Sequence, residues 1–262
     1  MSESRFREIC EIYAQYKEVF SKTASTWKLM PYDWVEFPNP ISANWMPYKF
    51  MFDEFSTGLA NVINEMSYNI RAIKAWSWII DDLTNEQKYE ITKEFISDKV
   101  TLSLNLPYVI KSRFSFSITH LCHQANRVSD QWEDDLPLDR EIPNKPVDKY
   151  CEYWSSYRDL CSSLEFIDNV DYRESTRNFR NIYSHRLQPR IVIGLYNIAS
   201  RHVSKGNISY RFGGHEPLQL EDIACSLERQ SEYCYNSFEL FQSLVYEHVR
   251  AIAEANRGVI SE

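Results

Sequence analysis

The chain has 262 residues, 44% of them hydrophobic and 25% charged, and a formal net charge of −8. These are the proportions of a folded globular protein rather than a disordered one, and the acidity would oppose indiscriminate binding to polyanions. With only 6 Gly and 15% aromatic residues, the composition points to helices packed through bulky rings, in one large domain or two small ones.

No apolar run approaches the roughly 18 residues a membrane span requires, and the Met-Ser-Glu-Ser-Arg start leads directly into a helical pattern. The six cysteines, Cys10, Cys122, Cys151, Cys161, Cys225 and Cys234, form no Cys-x-x-Cys pair. Buried free thiols in a reducing compartment are the simpler reading, so the expectation is a cytoplasmic protein with no membrane association.

Phe6, Ile9, Cys10, Tyr13, Tyr16 and Phe20 recur at three- and four-residue intervals and predict a first helix over residues 3–22. From Trp27 to Pro47 the pattern fails. Pro31, Pro38, Pro40 and Pro47 among Trp and Tyr read as an ordered connection held down by aromatics. A long helix is expected from about Tyr48 to Asp81. Thr84 with Gln87 forms a capping box that opens a third helix toward Val100. Pro107 suits the first turn of a fourth helix reaching about Ser129. Residues 130–147, with Pro137, Pro143 and Pro146 among acids, read as a loop. A fifth helix is expected from about Asp148 to Phe166, and another from about Tyr172 to Leu187; the two are either one bent helix or separate ones. Ile191–Gly194 and Ile208–Phe212, separated by Lys205-Gly206-Asn207, read as a small hairpin inserted near residues 190–213. A last helix is expected from about Gln219 to Asn256.

The stretch from Arg173 to Arg190 concentrates the chemistry. Arg177, Asn181 and His185 recur every fourth position, so one continuous helix would carry them on one face, with the long side chain of Arg180 able to join them. From Arg173 to Arg211 eight Lys or Arg face a single acid, Glu174, which gives this window +7 and leaves the rest of the chain at −15. A basic island on an acidic protein suggests a site for a phosphate or a nucleic-acid backbone.

The run Arg180-Asn181-Ile-Tyr-Ser-His185 matches the Arg-x4-His motif, with Asn after the Arg, that marks HEPN-superfamily domains. The segment from Phe114 to Arg127 also resembles part of a bacterial full-length HEPN subfamily. The resemblance implies an all-α, HEPN-like up-down bundle as a single domain over residues 1–262. An N-terminal helix and connection would occupy 1–47, and a core carrying the motif helix would occupy 48–262. It also implies a metal-independent endoribonuclease without cofactor. His185 would be general base or acid, Arg180 the clamp on the phosphorane, and Asn181 a positioning amide. Arg173, Arg177, Ser184 and Arg186 would contact the RNA substrate. Because one histidine cannot conveniently both take and deliver a proton, a homodimer with a composite site is expected. An antitoxin or other regulatory protein and a role in stress response or defence go with the family. Leu187 stands where some HEPN toxins carry a modifiable Tyr, which speaks against control by that route.

Other readings of these residues stay open. His185 and Arg186 suit the C-terminal end of a helix, where positive charge meets unpaired carbonyls, and Arg177 reads equally as a solvated charge. A non-catalytic HEPN module binding RNA, a nucleotide or a protein partner is the rival function. His120 and His123 share a helical face and, with Gln124 and Arg127, either line the cleft or pack in the core. No second Cys/His cluster completes a metal site with them, so no metal is assigned.

Overall fold

The computed structural model describes residues 3–23, 28–185, 189–204 and 206–260, with residues 258–260 described by backbone alone. Helix α1 spans Glu3–Lys22, α2 Met46–Ile80, α3 Asn85–Ile91, α4 Ser97–Ala125 and α5 Asp148–Cys151. Then follow α6 Tyr157–Leu164, α7 Val170–Ser175, α8 Phe179–His185, strands β1 Ala199–Ser204 and β2 Asn207–Phe212, and α9 Leu220–Ile260. The fold is an all-α bundle with a small inserted hairpin, as the periodicity and the turn residues predict. No described helix is long and apolar enough to cross a membrane.

The chain divides into two compact units. One comprises Met1–Trp27, Tyr68–Asn105 and Val170–Arg229, the other Lys28–Ser67, Leu106–Asn169 and Gln230–Glu262. Helices α2, α4 and α9 each contribute a stretch to both.

In the first unit the aromatic stripe of α1 meets α2. Tyr16 stacks on Trp76 with ring centroids 4.2 Å apart, and Phe95 lies 5.1 Å from Tyr13 and 5.8 Å from Trp76. Arg71 donates twice to the Phe20 carbonyl while its guanidinium lies 4.3 Å from the Phe20 ring, so one side chain ties off the end of α1. The Thr84–Gln87 capping box is formed as expected.

The sequence places a break between the third and fourth helices, and the structure corrects it. After α3 a single π-helical turn, Thr92–Ile96, leads straight into α4, and Pro107 lies inside α4. A proline fits the first turn of a helix better than its interior, which is why it reads as a start. In the turn of α4 just before Pro107 the Tyr172 hydroxyl donates to the Leu104 carbonyl at 2.9 Å. The expected hairpin is shifted too. Val192 and Gly194 take φ of 65° and 96°, so Ile191–Gly194 is not extended, and the first strand is Ala199–Ser204. Ile191 instead makes an isolated parallel bridge to Leu218.

In the second unit Phe52, Phe114, Phe238 and Phe241 are buried together with Leu59, Ile63, Leu121 and Leu244. Trp34 lies edge-on to Phe52, Phe238 and Phe241 at 5.0–6.3 Å, which anchors the proline-rich connection as its composition predicts. Asn256 accepts from Ser42 N and donates to the Pro40 carbonyl, both at 2.9 Å. The predicted fifth helix is two short ones, α5 and α6. The carboxylate of Glu247 accepts the amides of Ser155 and Ser156 at 2.8 and 2.9 Å, and this capture at the start of α6 competes with a continuous helix.

Phe241 is fully buried and 5.9 Å from Phe114. Phe241→Ala is expected to lower stability by about 3–5 kcal/mol, read from the urea midpoint at constant slope.

Candidate functional site on the short helix α8

The Arg173–Arg190 segment belongs to the first unit. Its helical pattern is interrupted, which corrects the expected single helix from Tyr172 to Leu187. The Thr176 hydroxyl donates back to the Tyr172 carbonyl at 2.8 Å, and Arg177 and Asn178 adopt left-handed φ of 53° and 52° before α8 begins. Asn tolerates that region because its short polar side chain can bond locally, whereas for Arg it carries strain. Two rings fix the segment. Tyr172 is 5% exposed in α7, and Phe179 is 1% exposed in α8 with Tyr183 stacked on it at 5.7 Å.

With Phe179 turned inward, helical geometry decides what α8 presents. At about 100° per residue, Ile182 and Tyr183 flank Phe179, while Arg180, Ser184, Asn181 and His185 follow one another around an opposite arc of about 140°. All four are exposed. The structure therefore brings Arg180, Asn181, Ser184 and His185 together on one helix surface, with Arg180 and His185 at its two edges. Arg177 is not on that helix, because the break turns it away. Its guanidinium donates to the Glu216 carbonyl and reaches the Tyr196 hydroxyl at 3.5 Å, bracing the stretch that follows the hairpin. Arg173 is exposed on α7, and Arg186 lies outside the described residues.

His120, His123, Gln124 and Arg127 belong to the second unit. His120 is 7% exposed and packs on Phe116 at 4.2 Å and Phe55 at 5.8 Å, with Asp139 3.5 Å away. His123 is 1% exposed between Trp132 and Tyr150, its Nε2 3.8 Å from carboxylate oxygens of Asp134 and Asp135. Arg127 lies over the Trp132 ring at 4.6 Å and donates to the Asn44 carbonyl, while Gln124 contacts His123 Nδ1 at 3.4 Å. Burial holds both imidazoles below the usual histidine range. Among the described residues no group of three or more His, Cys, Asp or Glu is placed to hold a metal ion.

One titratable cluster has no signature in the sequence. His248 is fully buried on α9, with Nδ1 2.9 Å from the Tyr48 hydroxyl, Nε2 3.7 Å from Cys122 Sγ and Trp154 edge-on at 4.3 Å. Burial pushes its pKa down to about 3, so the ring is neutral and bridges the tyrosine and the thiol. A lone histidine on an apolar helix face gives no signal of this in sequence.

No protein-family model, curated protein or solved structure matches the chain. The candidate site therefore rests on its own geometry and charge.

His248, His120 and His123 all have folded pKa values below the ordinary 6.5, so the unfolded chain binds protons first. Their contribution is complete above about pH 6.5 and declines as pH falls, for His248 until about pH 3. Each such group adds up to about 1.4 kcal/mol per pH unit to the acid slope. Scanning calorimetry of His248→Gln should show a shallower fall of Tm between these limits than wild type; an unchanged slope would contradict a neutral buried His248.

Proposed function

We propose that the chain is an RNA-acting protein of the HEPN type, cleaving RNA without metal at a composite site made by α8 of two copies. The observation that supports this most directly is the exposed arc Arg180–Ser184–Asn181–His185, set in a window of +7 on a chain of −8. Arg180 offers a planar guanidinium fork to a phosphate, Asn181 a carboxamide, and His185 an imidazole whose ring nitrogens can accept or donate a proton. One His185 would take the proton of a ribose 2'-hydroxyl as its oxygen attacks the adjacent phosphorus. The His185 of the second copy would protonate the departing 5'-oxygen, leaving a 2',3'-cyclic phosphate and a 5'-hydroxyl. Arg180 would stabilise the charge that builds on phosphorus in the transition state. Ser184, Arg173 and Arg186 would add contacts to the strand, and Arg177 would act chiefly by bracing Glu216. A cytoplasmic setting, and control by an acidic antitoxin covering the arc, fit this activity in stress response or defence.

A specific feature favours the second reading, a module that binds RNA without cleaving it. Within one copy Arg180 and His185 stand at opposite edges of the arc, a geometry that suits phosphate binding along a strand and does not by itself close on one phosphorus.

Purified protein incubated with a mixed RNA pool in EDTA separates the two. Cleavage with 2',3'-cyclic phosphate ends, reduced at least about 100-fold in His185→Ala and in Arg180→Ala, is the expected result. Salt-sensitive RNA binding without cleavage would sink the catalytic reading and leave the binding module.

A further inference from the structure

A cleft of about 600 Å³ in the first unit lies between α3, the π-helical turn, the start of α4 and the segment after α8. Its lining is chemically divided. Among the described residues Lys93 and Arg190, 97 residues apart in sequence, place two cations at it against the single carboxylate of Asp98. Ser97, Thr101 and Asn105 recur every fourth residue and so form one polar stripe along the face of α4 that borders the cleft. Tyr89 and Tyr183, each about half exposed or more, supply rings.

The π-helical turn sets one further group into this wall. Ser97 N–H bonds to the Thr92 carbonyl across five residues, the register change that makes the bulge, and Thr92 lines the cleft while only 7% exposed. Among the described residues its Oγ1 has no hydrogen-bond partner. A buried hydroxyl left unsatisfied costs about 1–3 kcal/mol, and one at the wall of a polar cleft is satisfied most simply by what the cleft holds.

We propose that this cleft binds a phosphorylated sugar, either free or as the ribose phosphate of a nucleotide. Lys93 and Arg190 hold the phosphate dianion, the bidentate fork of Arg190 setting its orientation. Asp98 accepts hydrogen bonds from ring hydroxyls, and the Ser97–Thr101–Asn105 stripe exchanges hydrogen bonds with the rest of the ring. Thr92 Oγ1 completes its bonding on the ligand. The volume lies in the range of small-molecule sites, so a bare phosphate would leave most of it to water. The inference does not depend on RNA cleavage, since its measurement is binding alone.

Titration calorimetry of the full chain at low ionic strength, with ribose 5-phosphate, ribose, inorganic phosphate and adenosine 5'-monophosphate as separate probes, tests it. Ribose 5-phosphate should bind saturably and at least about tenfold more tightly than ribose or inorganic phosphate. Tighter binding of the nucleotide by a further factor of about ten would identify the nucleotide as the source of the sugar phosphate, through stacking on the tyrosines; equal binding would identify the free sugar phosphate. Arg190→Gln should lower affinity about tenfold. Thr92→Val keeps the shape and removes only the hydroxyl, so it should weaken ribose 5-phosphate binding several-fold without lowering Tm. No saturable binding of either phosphorylated probe, or equal affinity for inorganic phosphate and ribose 5-phosphate, would overturn the proposal. So would binding that neither Arg190→Gln nor Thr92→Val changes.

Discussion

The candidate site depends on the burial of two rings on either side of a left-handed step. Tyr172 and Phe179 are seven residues apart, close to two helical turns, so an unbroken helix would also bury both on one side. What the step at Arg177–Asn178 changes is the company of the polar residues. Arg177 leaves the stripe and is spent on the Glu216 carbonyl, and α8 is left with Phe179 inward and four polar residues outward. The strain of a left-handed arginine, of order 1 kcal/mol or more, is tolerated because the tyrosine hydroxyl on Leu104 and the packing of Phe179 over-determine the segment.

The helices that could be read from sequence are those whose signal is local. The aromatic periodicity of α1, the apolar stripes of α2 and α9, and the Thr84–Gln87 capping box all lie within the elements they define. Where the deciding group is distant, the local pattern carries no sign of it. Glu247 splits the fifth helix from a position more than 90 residues away in sequence, and the Leu218 backbone draws Ile191 out of the expected strand. Pro107 misled for a different reason. Its preference for a first turn is a propensity, and burial of the α4 face outweighs it. At the site, the exposure of Arg180, Asn181, Ser184 and His185 follows from the motif and the pattern around Phe179, whereas the break that removes Arg177 has no Gly or Pro to announce it.

The buried polar groups show the same division between local and distant causes. The spacing of His120 and His123 resembles a ligand pair, yet each sits against aromatic rings with its pKa depressed by burial. His248, without any neighbour in sequence to mark it, is the more deeply integrated residue, because Tyr48, Cys122 and Trp154 converge on it from other segments of its unit. Motif spacing finds groups that act along one helix and is blind to networks assembled from several.

That limitation bears on the Arg-x4-His motif itself. Five residues on a helix rotate by about 500°, so an Arg and a His at this spacing differ in direction by about 140° and cannot both face a single point straight above the helix. Arginine can reach part of the way on its long stem, and histidine cannot. A motif with this spacing is therefore suited to presenting its two groups toward opposite sides of a surface that passes over the helix. A nucleic-acid strand lying across α8 would be one such surface, and a second copy of α8, if it turned a His toward each Arg, would be the other. The two arrangements differ in what they do with the phosphate between them. The first would hold the phosphate, whereas the second would surround it with the acid, the base and the cation that cleavage requires.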